Sequence, residues 1–173
     1  MKYSLFQKDR LDLAEINNII NLSINSGINT IDTANSYQDT ENILGKIDIS
    51  GLKIISKIIL NLNLDYTQID LILEKTLKNI NQKKIYAILF HNSEQLFSDV
   101  GKKVFERLQN LKDKNLINEK GVSVYSVSEA IKIIDNMNSD YQVMMFLDSL
   151  GNLSTRKEME DSASGSDKRD MTR

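Results

Sequence analysis

The run Lys84-Ile85-Tyr86-Ala87-Ile88-Leu89-Phe90 is apolar at nearly every position and stops at His91. A strand with one wet face would alternate apolar and polar residues. A strand apolar on both faces needs cover on both, which is the situation inside a parallel sheet. Parallel neighbours cannot be joined by a tight turn; each pair needs a crossover, usually a helix.

The rest of the chain supplies such crossovers. Asp12 with Glu15 reads as a helix N-cap and its partner three residues on, and Leu13, Ile16, Ile20 and Ile24 recur at helical spacing up to Gly27. Residues 28–31 read as a short strand that stops at Asp32. A polar turn leads to a short helix over about 40–44, closed by Gly45. Residues 52–56 form a second strand ending near Lys57. A third helix over about 67–80 places Ile69, Leu73, Leu77 and Ile80 on one face. Beyond His91, Val100, Val104, Leu108 and Leu111 mark a fourth helix, and residues 121–124 a fourth strand. Ser126 with Glu129 opens another helix, and residues 141–146 are a fifth strand candidate. Alternating strands and helices mean a parallel sheet of βαβ units, either a β/α barrel or an open doubly wound sheet. No GxGxxG follows the first strand, so a dinucleotide-binding loop of the doubly wound kind is unsupported.

Composition narrows the function classes. With 173 residues the chain suits one packed domain. A net charge of −2 argues against a general nucleic-acid binder. There is no Cys and one His, which excludes disulfides, thiolate zinc sites, cysteine nucleophiles and multi-histidine metal sites. No apolar run approaches the roughly 18–20 residues of a membrane helix, and the N-terminus has no signal-peptide core, so a cytoplasmic protein is expected. Residues 154–173 are polar and aperiodic and read as a disordered tail; the expected division is a folded part over 1–150 and a tail over 151–173.

In β/α barrels chemistry sits at the C-terminal ends of the strands. Those ends here are Asp32, Lys57, His91 and, within the fourth strand, Ser123; Tyr37 lies in the loop just past Asp32. Taken singly, each has an ordinary explanation: Asp32 as a turn cap, Lys57 as a surface lysine, Tyr37 as a loop aromatic, His91 as a structural imidazole. Taken together, they would gather a carboxylate, an amine, an imidazole and a phenol on one rim. A phenol titrates near about 10, and a neighbouring ammonium stabilises its anion. A carboxylate would hold the ammonium, and an imidazole could hydrogen-bond a carbonyl oxygen. That set suits proton transfer to a carbonyl oxygen while hydride reaches the carbon.

The segment Gly27-Ile28-Asn29-Thr30-Ile31-Asp32-Thr33-Ala34-Asn35-Ser36-Tyr37 resembles the G-I-N-x-I-D-T-A-x-x-Y signature of the aldo-keto reductases. Glu41 to Gly45 resembles the family's S-E-x-x-L-G continuation, Ile55-Ser56-Lys57 its I-x-T-K strand, Leu89-Phe90-His91 its L-x-H strand and Gly121-Val122-Ser123 its G-V-S-N strand. The resemblance runs from about Leu13 to Val143. It implies a (β/α)₈ TIM barrel, NADPH as cofactor, and the tetrad Asp32, Tyr37, Lys57 and His91 with Tyr37 as proton donor. By the same resemblance Ser123 and Gln142 contact the nicotinamide carboxamide. The expected activity is reduction of a small aldehyde or ketone to an alcohol.

The sequence departs from the family in several places. Val124 stands where the family often has Asn, and Met144 and Phe146 where it commonly has Pro and Asn. The glycine-rich N-terminal segment and the parts after strands seven and eight, which bind the adenosine phosphate, have no counterpart. A TIM barrel typically takes about 250 residues. The expected architecture is therefore a partial (β/α)₈ barrel of about five βα units of eight, truncated, with open sheet edges through which copies could associate. The alternative function is a non-catalytic remnant or interaction module of that fold.

Overall fold

The computed structural model describes residues 12–59 and 68–137. Helix α1 (Leu13–Asn25) starts where the capping pair places it: the Asp12 carboxylate accepts from the Glu15 amide at 2.7 Å. It ends before Gly27, whose φ of +85° lies in the left-handed region that glycine tolerates. Strand β1 (Thr30–Asp32) follows, then α2 (Thr40–Leu44), β2 (Lys53–Ile58), α3 (Gln68–Asn79) and β3 (Ile85–Phe90). After β3 come a 3₁₀ helix (Ser93–Phe97), α4 (Asp99–Asp113), β4 (Ile117–Val122) and α5 (Val127–Asp135). The expected fifth strand over 141–146, Gln142 and the polar tail lie outside the described residues.

The four described strands are all parallel and lie in the order β1-β2-β3-β4. A doubly wound sheet reverses its order at a switch point, whereas a barrel adds each strand beside the last. The arrangement is that of a partial (β/α)₈ barrel. One face of the sheet is packed by helices. Ile54 and Ile58 of β2 and Ile88 and Phe90 of β3 belong to one buried cluster with Leu44 of α2, Ile69 and Leu73 of α3, and Val104, Leu108 and Leu111 of α4. Gly45, just past α2, is fixed by this packing rather than by its φ: a Cβ there would lie 2.0 Å from the Asn79 carbonyl oxygen at the end of α3.

Two strands begin two or more residues from their sequence placement. β1 begins two residues later than expected, in register with β2 through Thr30–Lys53, Ile31–Ile54 and Asp32–Ile55. β4 begins at Ile117 rather than at Gly121. The charged residues of its first part hid that start, because both find partners on α4. Glu119 accepts from Lys112 Nζ at 2.7 Å, and Lys120 sets its amine 4.0 Å from the centre of the Phe105 ring. A strand whose charges are matched by the covering helix does not look like a strand in one dimension.

Candidate active site

Parallel pairing continues one residue beyond several strands, and this pins the rim. The Thr33 amide donates to the Ile55 carbonyl at 2.8 Å, the His91 amide to Ile58 at 2.9 Å and the Ser123 amide to Phe90 at 2.8 Å. The backbones that carry Asp32, His91 and Ser123 are therefore tied to the sheet, although their side chains stand at its end. Ser123 follows β4, which ends at Val122, rather than lying within it, but it stands at the same edge.

Lys57 lies inside β2, one residue from its end, on the face opposite its neighbour Ser56 because successive strand residues alternate. It is 6% exposed. A buried ammonium is costly unless it is paired and hydrogen-bonded. Lys57 Nζ donates to Asp32 Oδ2 at 2.5 Å and to the Thr33 carbonyl at 3.2 Å. Its amine also lies 5.5 Å from the centre of the Tyr37 ring. Asp32 is half open to solvent, and Tyr37 is 43% exposed, so the cluster has an accessible side.

His91 completes the group. Its ring stands edge-on to Tyr37 with centroids 6.4 Å apart and planes at 81°. Partial burial pushes the imidazole below its ordinary value of 6.5; the charge of Lys57 pushes the same way and Asp32 opposes it. Both favoured effects keep His91 neutral, with one nitrogen carrying a proton to donate.

The sequence missed a fifth participant. Tyr125, in the loop after β4, brings its hydroxyl to 3.2 Å from His91 Nδ1, with the rings edge-on at 6.2 Å. The available signal was its position two residues past Ser123, on the same rim. Gln142 lies outside the described residues.

The structure thus brings Asp32, Tyr37, Lys57 and His91 into one constellation at the C-terminal edge of the sheet, with Ser123 on the same edge. The family model described as "Aldo/keto reductase family" matches residues 3–149. The chain belongs to the aldo-keto reductases. Among solved structures, the chain is similar to an aldo-keto reductase from Bacillus halodurans in its holo form, with a TM-score of 0.58 at 18% identity, covering 73% of this chain and 47% of that one. It is similar to the Bombyx mori aldo-keto reductase in complex with NADP, with a TM-score of 0.56 at 20% identity, covering 76% of this chain and 48% of that one. A third similar structure is the thermostable aldo-keto reductase Tm1743 in complex with the inhibitor epalrestat, with a TM-score of 0.57 at 24% identity, covering 73% and 47%. This chain of the aldo-keto reductase family therefore spans about half the length of these structures. No curated protein matches it. Among the described residues no helix is long and apolar enough to cross a membrane.

The donor set of this aldo-keto reductase chain fits the nicotinamide end of a cofactor. A half-buried serine at a strand end can exchange hydrogen bonds with a carboxamide, and on the same rim the Tyr37 phenol and the Asp32 carboxylate are accessible.

Proposed function

We propose that this aldo-keto reductase chain reduces the carbonyl of a small aldehyde or ketone to an alcohol, using NADPH. The observation that carries the proposal is the buried Lys57 ammonium, held by Asp32 at 2.5 Å and set against the ring of an exposed tyrosine. Reduction of a carbonyl needs a proton at oxygen and a hydride at carbon. When bound, a reduced nicotinamide supplies the hydride.

The chain's own residues handle the proton. Tyr37 gives its hydroxyl proton to the carbonyl oxygen. Lys57, beside the Tyr37 ring, stabilises the negative charge left on the phenol oxygen. Asp32 holds that ammonium in place through its hydrogen bond. His91, neutral and partly buried, donates a hydrogen bond to the carbonyl oxygen and fixes its angle. Ser123 holds the nicotinamide carboxamide; Gln142, which the family resemblance assigns to the same task, lies outside the described residues.

NADPH fluorescence on titration with the purified chain tests binding, and NADPH consumption with a reactive aldehyde tests turnover. The expected result is an altered fluorescence and formation of the corresponding alcohol. Unchanged fluorescence together with no alcohol would favour a non-catalytic remnant or interaction module of the same fold.

A further inference from the structure

The loop after β4 has a feature that the tetrad does not account for. Val124 offers no hydrogen-bonding side chain, and the next residue, Tyr125, places its hydroxyl 3.2 Å from Nδ1 of His91. Tyr125 is 69% exposed, so it is not there to fill the core. It is nevertheless held. The Glu129 carboxylate accepts from the Tyr125 amide at 3.3 Å and from the Ser126 hydroxyl at 3.2 Å. The same carboxylate accepts from the hydroxyl of Ser93 at 2.7 Å, and Ser93 is buried two residues after His91. One carboxylate at the start of α5 thus braces both the loop carrying the imidazole and the loop carrying the second phenol. The imidazole packs edge-on against two tyrosines, Tyr37 from the loop after β1 and Tyr125 from the loop after β4.

The hydrogen bond made by one imidazole nitrogen decides which nitrogen carries the proton. A hydroxyl can give or receive, so the bond alone leaves two tautomers. Only one leaves a donor on the far nitrogen. We propose that Tyr125 is a positioning residue for His91, its phenol donating to Nδ1 and so reserving the proton on Nε2 for a carbonyl oxygen in the site. Val124 cannot perform this task and Tyr125 can, through a brace built from Glu129 and Ser93. The use of the reserved proton rests on the reductase reading; the tautomer does not.

The sequence contains one histidine, so ¹⁵N resonances of the imidazole report on His91 without ambiguity. The groups facing that ring are Asp32, Tyr37, Lys57 and Tyr125, from three neighbouring segments of the rim. Spectra of the full chain are compared with those of Tyr125→Phe, a change at an exposed side chain that should leave the thermal midpoint in place. In the wild type above the titration range, Nε2 should carry the proton and Nδ1 should show the shift of a hydrogen-bonded acceptor. In Tyr125→Phe the Nδ1 resonance should move and the Nδ1–H form should gain population. Turnover of a reactive aldehyde with NADPH should fall about tenfold in kcat, the worth of one hydrogen bond, with KM for NADPH unchanged. A moved Nδ1 resonance in a chain that reduces no aldehyde would uphold the positioning role and count against the reductase reading. Identical ¹⁵N spectra for the two proteins, or a wild-type proton on Nδ1, would overturn the positioning role whatever the activity.

Discussion

Strand β2 carries two buried polar residues in succession, and they face opposite ways. On the helix side, Ser56 donates to Glu41 at 2.9 Å, and Thr76 of α3 reaches the same carboxylate at 3.2 Å. Glu41 is 4% exposed, and both hydroxyls are buried with it. On the other side, Lys57 is just as buried, but its carboxylate partner Asp32 is half exposed and an exposed phenol stands beside it. Each pair joins β2 to a separate element. The closed cluster has its hydrogen bonds among its own members, so it ties α2 and α3 to the sheet. The open cluster leaves acceptor and donor capacity facing outward, which is the condition for handling a ligand.

Substitutions in the two clusters should therefore divide cleanly between activity and stability. Lys57→Met keeps the volume of the side chain and removes its charge. We expect kcat to fall by about 10²–10⁴-fold, the usual worth of a positioned proton-transfer system, with stability changed by about 1 kcal/mol. Steady-state kinetics beside urea melts would show this, and comparable loss of fold would merge the two clusters into one structural role. Glu41→Ala should do the reverse. It leaves two buried hydroxyls without their acceptor and opens a gap, so a loss of about 3 kcal/mol is expected, with turnover per folded molecule nearly intact. A stable Glu41→Ala protein would mean that the closed cluster does not hold the helices.

A third prediction concerns acid. His91 titrates below 6.5 in the fold because burial and Lys57 disfavour its charge. The unfolded chain takes up that proton first as the pH falls, so it binds more protons in this window. The stability contribution is complete above pH 6.5, and it is lost as the pH drops from there through the lowered folded value. His91→Gln should flatten that part of the stability profile. An unaltered slope would place the acid sensitivity on carboxylates instead. The smallest effect is expected at a part-buried ion pair, where Arg107 donates to Asp70 between α4 and α3. Arg107→Ala should cost about 1 kcal/mol, with the difference shrinking in high salt, since a pair still open to water on one side is partly screened. It should leave activity alone.

What could be read from residues alone follows from how local each signal is. β3 was legible because six successive residues say the same thing, and α5 because Ser126 and Glu129 mark its start; the Ser126 hydroxyl does accept from the Glu129 amide, at 3.2 Å. The first four residues of β4, 117–120, were not, since Glu119 and Lys120 become strand-like only when α4 supplies Lys112 and Phe105. Asp32, Lys57 and His91 were legible because strand ends converge in any parallel barrel, and that inference needs no exact register. The contact of Tyr125 with His91 spans 34 residues and depends on where β4 ends, which the sequence placed too late. The 3₁₀ helix at Ser93–Phe97 was also missed: the Asn92 side chain caps it by accepting from the Glu94 amide at 2.9 Å, a signal too short to stand out.

Removal of a single oxygen atom probes the central claim most directly. Tyr37→Phe, assayed for NADPH oxidation with a reactive aldehyde beside the wild type, should retain its thermal midpoint and its NADPH affinity while kcat falls by about 10²–10⁴-fold. A variant that turns over as fast as the wild type would show that the phenol gives no proton and would contradict the account.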